Sequence, residues 1–230
     1  MTNPRLLAVI LVGVIALGTL AGCAAEPASP SAAPTPSVTV TPTPTPTPEP
    51  VAERLVIDSQ TMTVIANNGE ALASYDYFQD PQQVATELTE LFGLQPTSRQ
   101  VQPYEGLSYL ESEWPGFRLL DLDRETDGVF YTSYWVEVAA PQVGGLIVET
   151  VEGISVGDDS AAVESAHPDT TEHVTPPNTG IPRFIIRLDT VPLPTFEDGT
   201  DGYSFMVSIG GEVGLPIETI FAPSGGGPGI

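Results

Sequence analysis

Cys23 is the only thiol in the 230 residues. It stands where an apolar run gives way to Ala, Pro and Thr. With no second cysteine there is no intrachain disulfide to form, so its chemistry is that of a thiolate nucleophile. A hydroxyl nucleophile is offered by Gly153-Ile154-Ser155-Val156-Gly157, because Gly-x-Ser-x-Gly on a strand-to-helix turn lifts the serine oxygen clear of the backbone. Ser155, Asp169 and His173 follow in the order a hydrolytic triad needs, but His173 comes only 18 residues after Ser155. No His-Gly-Gly element lies upstream, and the alternation of strands and helices that marks a parallel sheet is missing. Asp123, Glu125, Asp127 and Gly128 fall on places one, three, five and six of a calcium loop, yet place twelve is Tyr134 rather than a bidentate Glu. "FEDGTDG" at 196–202 is a second acidic turn of the same kind. His167 and His173, with Asp169 and Glu172, are zinc-type donors, but histidines six apart match neither common spacing. No metal and no cofactor is expected.

The elements around Cys23 decide which chemistry it does. Arg5 is the only charge before the apolar stretch Leu6 to Leu20. That stretch is shorter than the ~20 residues of a membrane-spanning helix. A basic start, a short apolar core and small residues before a cut describe an export signal over residues 1–22. Leu20-Ala21-Gly22-Cys23 then resembles the bacterial lipobox. The resemblance implies that Cys23 takes a diacylglyceryl group as a thioether, and that a signal peptidase cuts between Gly22 and Cys23. Stable anchoring takes two acyl chains, and this modification supplies two. The expected location is the outer face of the cell membrane, with membrane lipid as one partner through acylated Cys23.

Residues 23–52 read as a Thr/Pro-rich linker ending in "TPTPTPTPEP". Prolines lack an N–H and fix φ, which disfavours helix and sheet. In polyproline II such a segment reaches about 90 Å at ~3.1 Å per residue. The net charge is −23, and export removes one of seven basic residues and none of thirty acids. Phosphate recognition needs basic patches, so nucleic acid is excluded as a partner. All basic residues are Arg, with abundant Ala, Gly, Pro and Val, which resembles coding by a GC-rich bacterial genome of actinobacterial type.

Residues 53–225 carry the hydrophobic runs and turn signals of one folded part, with a tail at 226–230. Strand patterns dominate: "RLVI", "TMTVIA" and "EALASYDY", then "FRLLDLD", "VFYTSYWVEV" and "GGLIVETVE", then "RFIIRLDT", "YSFMVSIGG" and "LPIETIFAP". "DPQQVATELTELFG" predicts a helix capped by Asp80, with Pro81 in its first turn and Gly93 after its last. "GDDSAAVESAH" predicts a second. "FRLLDLD" parallels "FIIRLDT", and "VETV" at 148–151 parallels "IETI" at 217–220. These correspondences predict an α+β fold of two related units, 80–151 and 157–222, each a helix packed on a small antiparallel sheet.

"EGISVGDDSAAV" at 152–163 resembles the Gly-(Ile/Met)-x-x-Gly-x-(Ser/Thr)-x-x-x-Val signature of β-lactamase-inhibitor-protein-like and BamE/SmpA-like domains. Gly153, Gly157 and Val163 match it, and Ser160 stands one residue beyond the hydroxyl place, which Asp159 occupies. The resemblance implies helix-on-sheet repeats in an exported protein that binds other proteins. The inhibitor's disulfides are absent, and the first unit lacks the glycine pair. Apart from any family, Gly157 permits a tight turn and Asp158 or Asp159 caps the next helix. Trp114, Tyr131, Tyr134 and Trp135 are aromatic candidates for a binding surface, with core packing as their competing role. The sequence thus supports a lipid-anchored extracytoplasmic lipoprotein that binds an envelope protein or wall component without catalysis. A serine hydrolase using Ser155 and an envelope-maintenance protein with no ligand are the alternatives.

Overall fold

The computed structural model describes residues 49–104, 107–122, 132–192 and 204–226. They form thirteen strands and two helices. Five strands make one sheet in the order β3-β2-β1-β9-β8: Ala71–Asp76, Thr61–Ala66, Ala52–Ile57, Leu146–Thr150 and Gln142–Val143. Eight make the other, in the order β10-β11-β12-β13-β7-β6-β5-β4: Thr171–Val174, Arg183–Pro192, Ser204–Glu212, Thr219–Gly226, Tyr134–Val138, Phe117–Leu122, Leu107–Trp114 and Thr97–Tyr104. Every ladder is antiparallel except β1 with β9, where Arg54 to Ile57 run beside Ile147 to Thr150.

Alternation of side chains sets the faces. In β2, Met62, Val64 and Ala66 are buried while Thr61, Thr63 and Ile65 lie at the other face. Leu55, Ile57 and Val148 join them from β1 and β9. Opposite stand Phe117, Leu119, Tyr134, Val136, Val138, Phe184, Ile186, Val207, Ile209 and Ile220 of the eight-stranded sheet, all in one hydrophobic core. The result is a two-sheet sandwich, with helix α1 (Pro81–Phe92) packed into the core beside β6.

Helix α1 forms as its sequence predicts. The Asp80 carboxylate accepts from the Gln82 and Gln83 amides, Pro81 takes the first turn, and Gly93 closes the helix at φ 63°. Val84, Ala85, Leu88 and Phe92 make the buried stripe. Burying each of the larger ones contributes about 1.5–3 kcal/mol. Phe92 carries the helix onto the sheet, its ring 5.6 Å from Trp114 and 5.4 Å from Phe117.

The expected fold of two helix-on-sheet units is not what forms. The protein is predominantly β, and both helices lie in a sandwich of two large sheets. Strands from 80–151 and from 157–222 share the eight-stranded sheet through the β7–β13 ladder, where Phe221 opposes Glu137. "VETV" and "IETI" are not equivalent: the first belongs to β9 in the five-stranded sheet, and the second leads into β13 in the other. The physical reason is burial. Leu146, Val148 and Thr150 are buried where β9, paired with β8 on one side, takes the distant β1 on the other and not a strand of the eight-stranded sheet.

Two tyrosines tie the sheets together. Tyr77 donates to Asp58 O at 3.1 Å, Tyr134 donates to Asp76 O at 3.1 Å, and their rings are 5.4 Å apart. Burial raises the Tyr77 hydroxyl well above its ordinary value, with Tyr134, Asp58 and Asp189 adding to the rise. Burial and then Asp76 raise Tyr134. The folded state therefore holds these protons more tightly than the unfolded chain. Their stabilising contribution is complete below about pH 10 and is lost as pH climbs above it. The chain has no Lys to titrate in the same range. The urea midpoint is expected to drop steeply above about pH 10, and to drop less in Tyr134→Phe. A midpoint equally pH-sensitive in both proteins contradicts this account.

Candidate binding groove

The face of the eight-stranded sheet that points away from the core carries a different residue set. On β11 the core takes Phe184, Ile186 and Leu188, which turns Arg183, Ile185 and Arg187 outward. On β12, Ser208 and Gly210 stand opposite Arg187 and Ile185. On β13, Phe221 and Thr219 stand opposite Ser208 and Gly210. Trp135 follows on β7, between the buried Tyr134 and Val136. Gly210 leaves the floor without a side chain, and a Cβ there would come within 2.9 Å of Phe184 O. A register shift between Met206 and Ser208 admits Pro223 into a central strand, since a bulge tolerates the missing N–H.

These outward residues enclose a groove of ≈ 760 Å³ across β7, β13, β12 and β11. Trp135 lies 6.1 Å from Phe221 and 6.4 Å from Tyr109, ring centroid to centroid. Its Nε1–H is buried and has no acceptor among the described residues. Arg183 donates from Nη2 to Glu218 at 2.9 Å, and Arg187 from Nη2 to Glu172 at 2.7 Å. Each guanidinium has five N–H donors, so a single contact leaves capacity for another acceptor. Among the described residues the groove lining contains both arginines and no Asp or Glu, in a chain with thirty acids.

Beside the groove the same face carries a charge ladder. Arg99 donates from Nε and Nη2 to Glu111, and Arg118 donates to Glu137. Glu111 is 2 % exposed. Burial pushes Arg118 down, but the Glu137 hydrogen bond and the carboxylates of Glu137, Glu111 and Glu113 raise it overall. The ladder explains why β4 and β5 escape a hydrophobic reading of "TSRQVQPY" and "LSYLESEW". Their outward positions include the ion-paired Arg99, Glu111 and Glu113, and Trp114 supplies the inward anchor.

The sequence-derived candidates divide as follows. Trp114 is 1 % exposed and donates from Nε1 to Leu94 O, and Tyr134 is fully buried, so both serve the core. Trp135 lines the groove. Tyr131 lies outside the described residues, as do Gly22, Cys23, the linker before Glu49 and most of both acidic turns. Asp121, the described residue at the head of the first turn, accepts from Gln82 Nε2.

Gly153 and Gly157 hold φ at 79° and 92° in the connection from β9 to helix α2 (Ser160–Ala166). Asp159 caps α2, while Asp158 accepts from the Ser155 amide. Ser160 is buried and Val163 packs against the core. The motif thus joins the sheets, Gly157 N donating to Ile217 O and Ile217 N to Asp158 O. Ser155 donates its hydroxyl to Val148 O at 3.0 Å, and His173 is held by Glu164 at 2.8 Å. The Ser155, Asp169 and His173 order in the sequence is not an assembled triad here. His167 pairs with Glu152 at 3.2 Å, and no group of three or more metal-type donors occurs among the described residues.

Sequence reasoning missed Arg183, Ile185, Arg187, Met206, Ser208 and Phe221 as groove residues. The signal was present in "RFIIRLD", where alternation puts two arginines and an isoleucine on one face. What the sequence does not show is which face meets the other sheet. No protein-family model, curated protein or solved structure matches this chain.

Proposed function

We propose that this protein is a lipid-anchored extracytoplasmic lipoprotein, tethered through acylated Cys23, whose folded part binds an envelope component without catalysis in the outward groove of its eight-stranded sheet. The observation that carries the binding reading is the groove's composition. A ≈ 760 Å³ depression lined by Trp135, Phe221, Met206 and Ile185, with two arginines and no carboxylate among its described residues, has the size and mixture of apolar wall and few polar groups of a ligand site. The anchor reading rests on Leu20-Ala21-Gly22-Cys23 after its short apolar core.

Thermal unfolding in the presence of envelope extract, split into organic-soluble and aqueous fractions, tests the groove. One fraction is expected to raise the midpoint of the wild type and leave Ser208→Trp, whose indole fills the groove, unmoved. A shift equal in both proteins, or in neither, refutes the groove as the binding site. Mass spectrometry of the mature chain tests the anchor: residues 1–22 are expected to be gone and Cys23 to carry acyl mass.

A further inference from the structure

We infer that the occupant of this groove is an anionic single-chain amphiphile, its head group on Arg187 and Ser208 and its hydrocarbon over Met206, Phe221 and Trp135. The inference rests on the groove reading above and names the ligand class for that site. Three observations lead to it.

The first is charge. The net charge of −23 disfavours anions over the surface as a whole, yet the described lining residues include two of the seven basic residues and no acid. Of the two, Arg187 is the better head-group site. It stands opposite Ser208, whereas Arg183 stands opposite Glu212 and donates to Glu218. Among the described residues Arg187 spends one donor, on Glu172, and keeps the others.

The second is how little the groove offers a polar ligand beyond its two arginines and the hydroxyls of Thr132, Ser208, Thr219 and Ser224. The groove crosses the faces of interior strands, whose backbone groups are engaged in ladders with both neighbours. A peptide laid here would bury amides and carbonyls with few partners, at a cost for each. A sugar would bury hydroxyls with no carboxylate among the described lining residues to accept from them. A hydrocarbon chain demands nothing of the backbone and gains from every apolar contact.

The third is extent. From β11 to β7 the groove crosses three strand spacings, about 14 Å. Met206, Phe221 and Trp135 lie on the β7 side of Arg187, so head and tail have separate places along one direction.

The test uses the full-length chain carrying Cys23→Ser, so that no attached lipid competes. Binding of 11-(dansylamino)undecanoate is followed by fluorescence, with laurate and dodecanol as competitors. Saturable binding is expected. Ser208→Glu, which sets a like charge beside the head group, is expected to weaken it about tenfold or more. Arg187→Gln is expected to weaken laurate about tenfold and leave dodecanol unchanged, because it removes only the charged hydrogen bond. Both variants are checked for an unaltered urea midpoint, and each serves if the other does not fold. Absence of saturable binding overturns the inference, as does affinity unchanged in both variants, or equal loss for laurate and dodecanol in Arg187→Gln. If laurate fails while an aqueous envelope fraction still stabilises the wild type but not Ser208→Trp, the amphiphile falls and the groove reading stands. If no fraction does so, the groove reading falls with it.

Discussion

Trp114→Ala is expected to remove about 3–5 kcal/mol of folding stability, a large share of the 5–15 kcal/mol typical of a domain. Trp114 is 1 % exposed and closes the end of β5 where the hairpin turns into β6. Its ring meets Phe92 from α1 edge-on and lies 5.9 Å from Phe117 across the hairpin. Its Nε1–H satisfies Leu94 O just beyond the helix. Alanine therefore opens a cavity between helix and sheet and strips a carbonyl of its donor. Trp114→Phe keeps much of the apolar volume and is expected to cost distinctly less. Urea unfolding measures both, and an unchanged m-value ties the midpoint shift to the folded core. Equal, small shifts for the two variants would mean that the helix does not depend on this contact.

Gly144→Ala is the second large effect, at about 2–5 kcal/mol. Gly144 and Gly145 connect β8 to β9 with φ of 58° and 88°, the pair of positive values a two-residue hairpin turn needs. Any L-residue is strained there, but Gly144 carries a second constraint. A Cβ at this position would lie 2.3 Å from Phe92 O and 2.5 Å from Phe92 Cα, so the last turn of α1 would have to move. Gly145 has nothing within 4 Å of its would-be Cβ. Gly145→Ala is expected to cost only the backbone strain, about 1–2 kcal/mol. The comparison isolates the close approach of turn and helix; equal losses at the two sites would refute it.

Much of the local structure was legible. Asp80, Pro81 and Gly93 mark α1 to the residue, because each acts through its own backbone and needs no distant partner. "TMTVIA" and "RFIIRLDT" announce their strands by alternation. The association of strands was not legible. Nothing in "LIVET" says that its second partner, beyond the β8 hairpin, is "LVI" far upstream, and the apparent repeat drew β9 and β13 into a false equivalence. The candidate groove shared that fate. Trp135 was visible as an aromatic, but its side of the sheet is decided by Tyr134, Val136 and Val138 filling the core. Likewise Gly153-Ile154-Ser155-Val156-Gly157 looked chemical in sequence. In space the Ser155 hydroxyl and the Asp158 carboxylate close a turn, hydrogen-bonded to Val148 O and the Ser155 amide.

The side-by-side run of β1 and β9 has a kinetic consequence. Until residues near 150 reach those near 55, the inner strand of the smaller sheet has only β2 as a neighbour. Closing so long a loop must precede its reward, which places this protein among slow folders. A chain interrupted before Leu146 would leave an apolar strand edge open to any other copy nearby, so premature truncation should be read as an aggregation hazard rather than a smaller working protein.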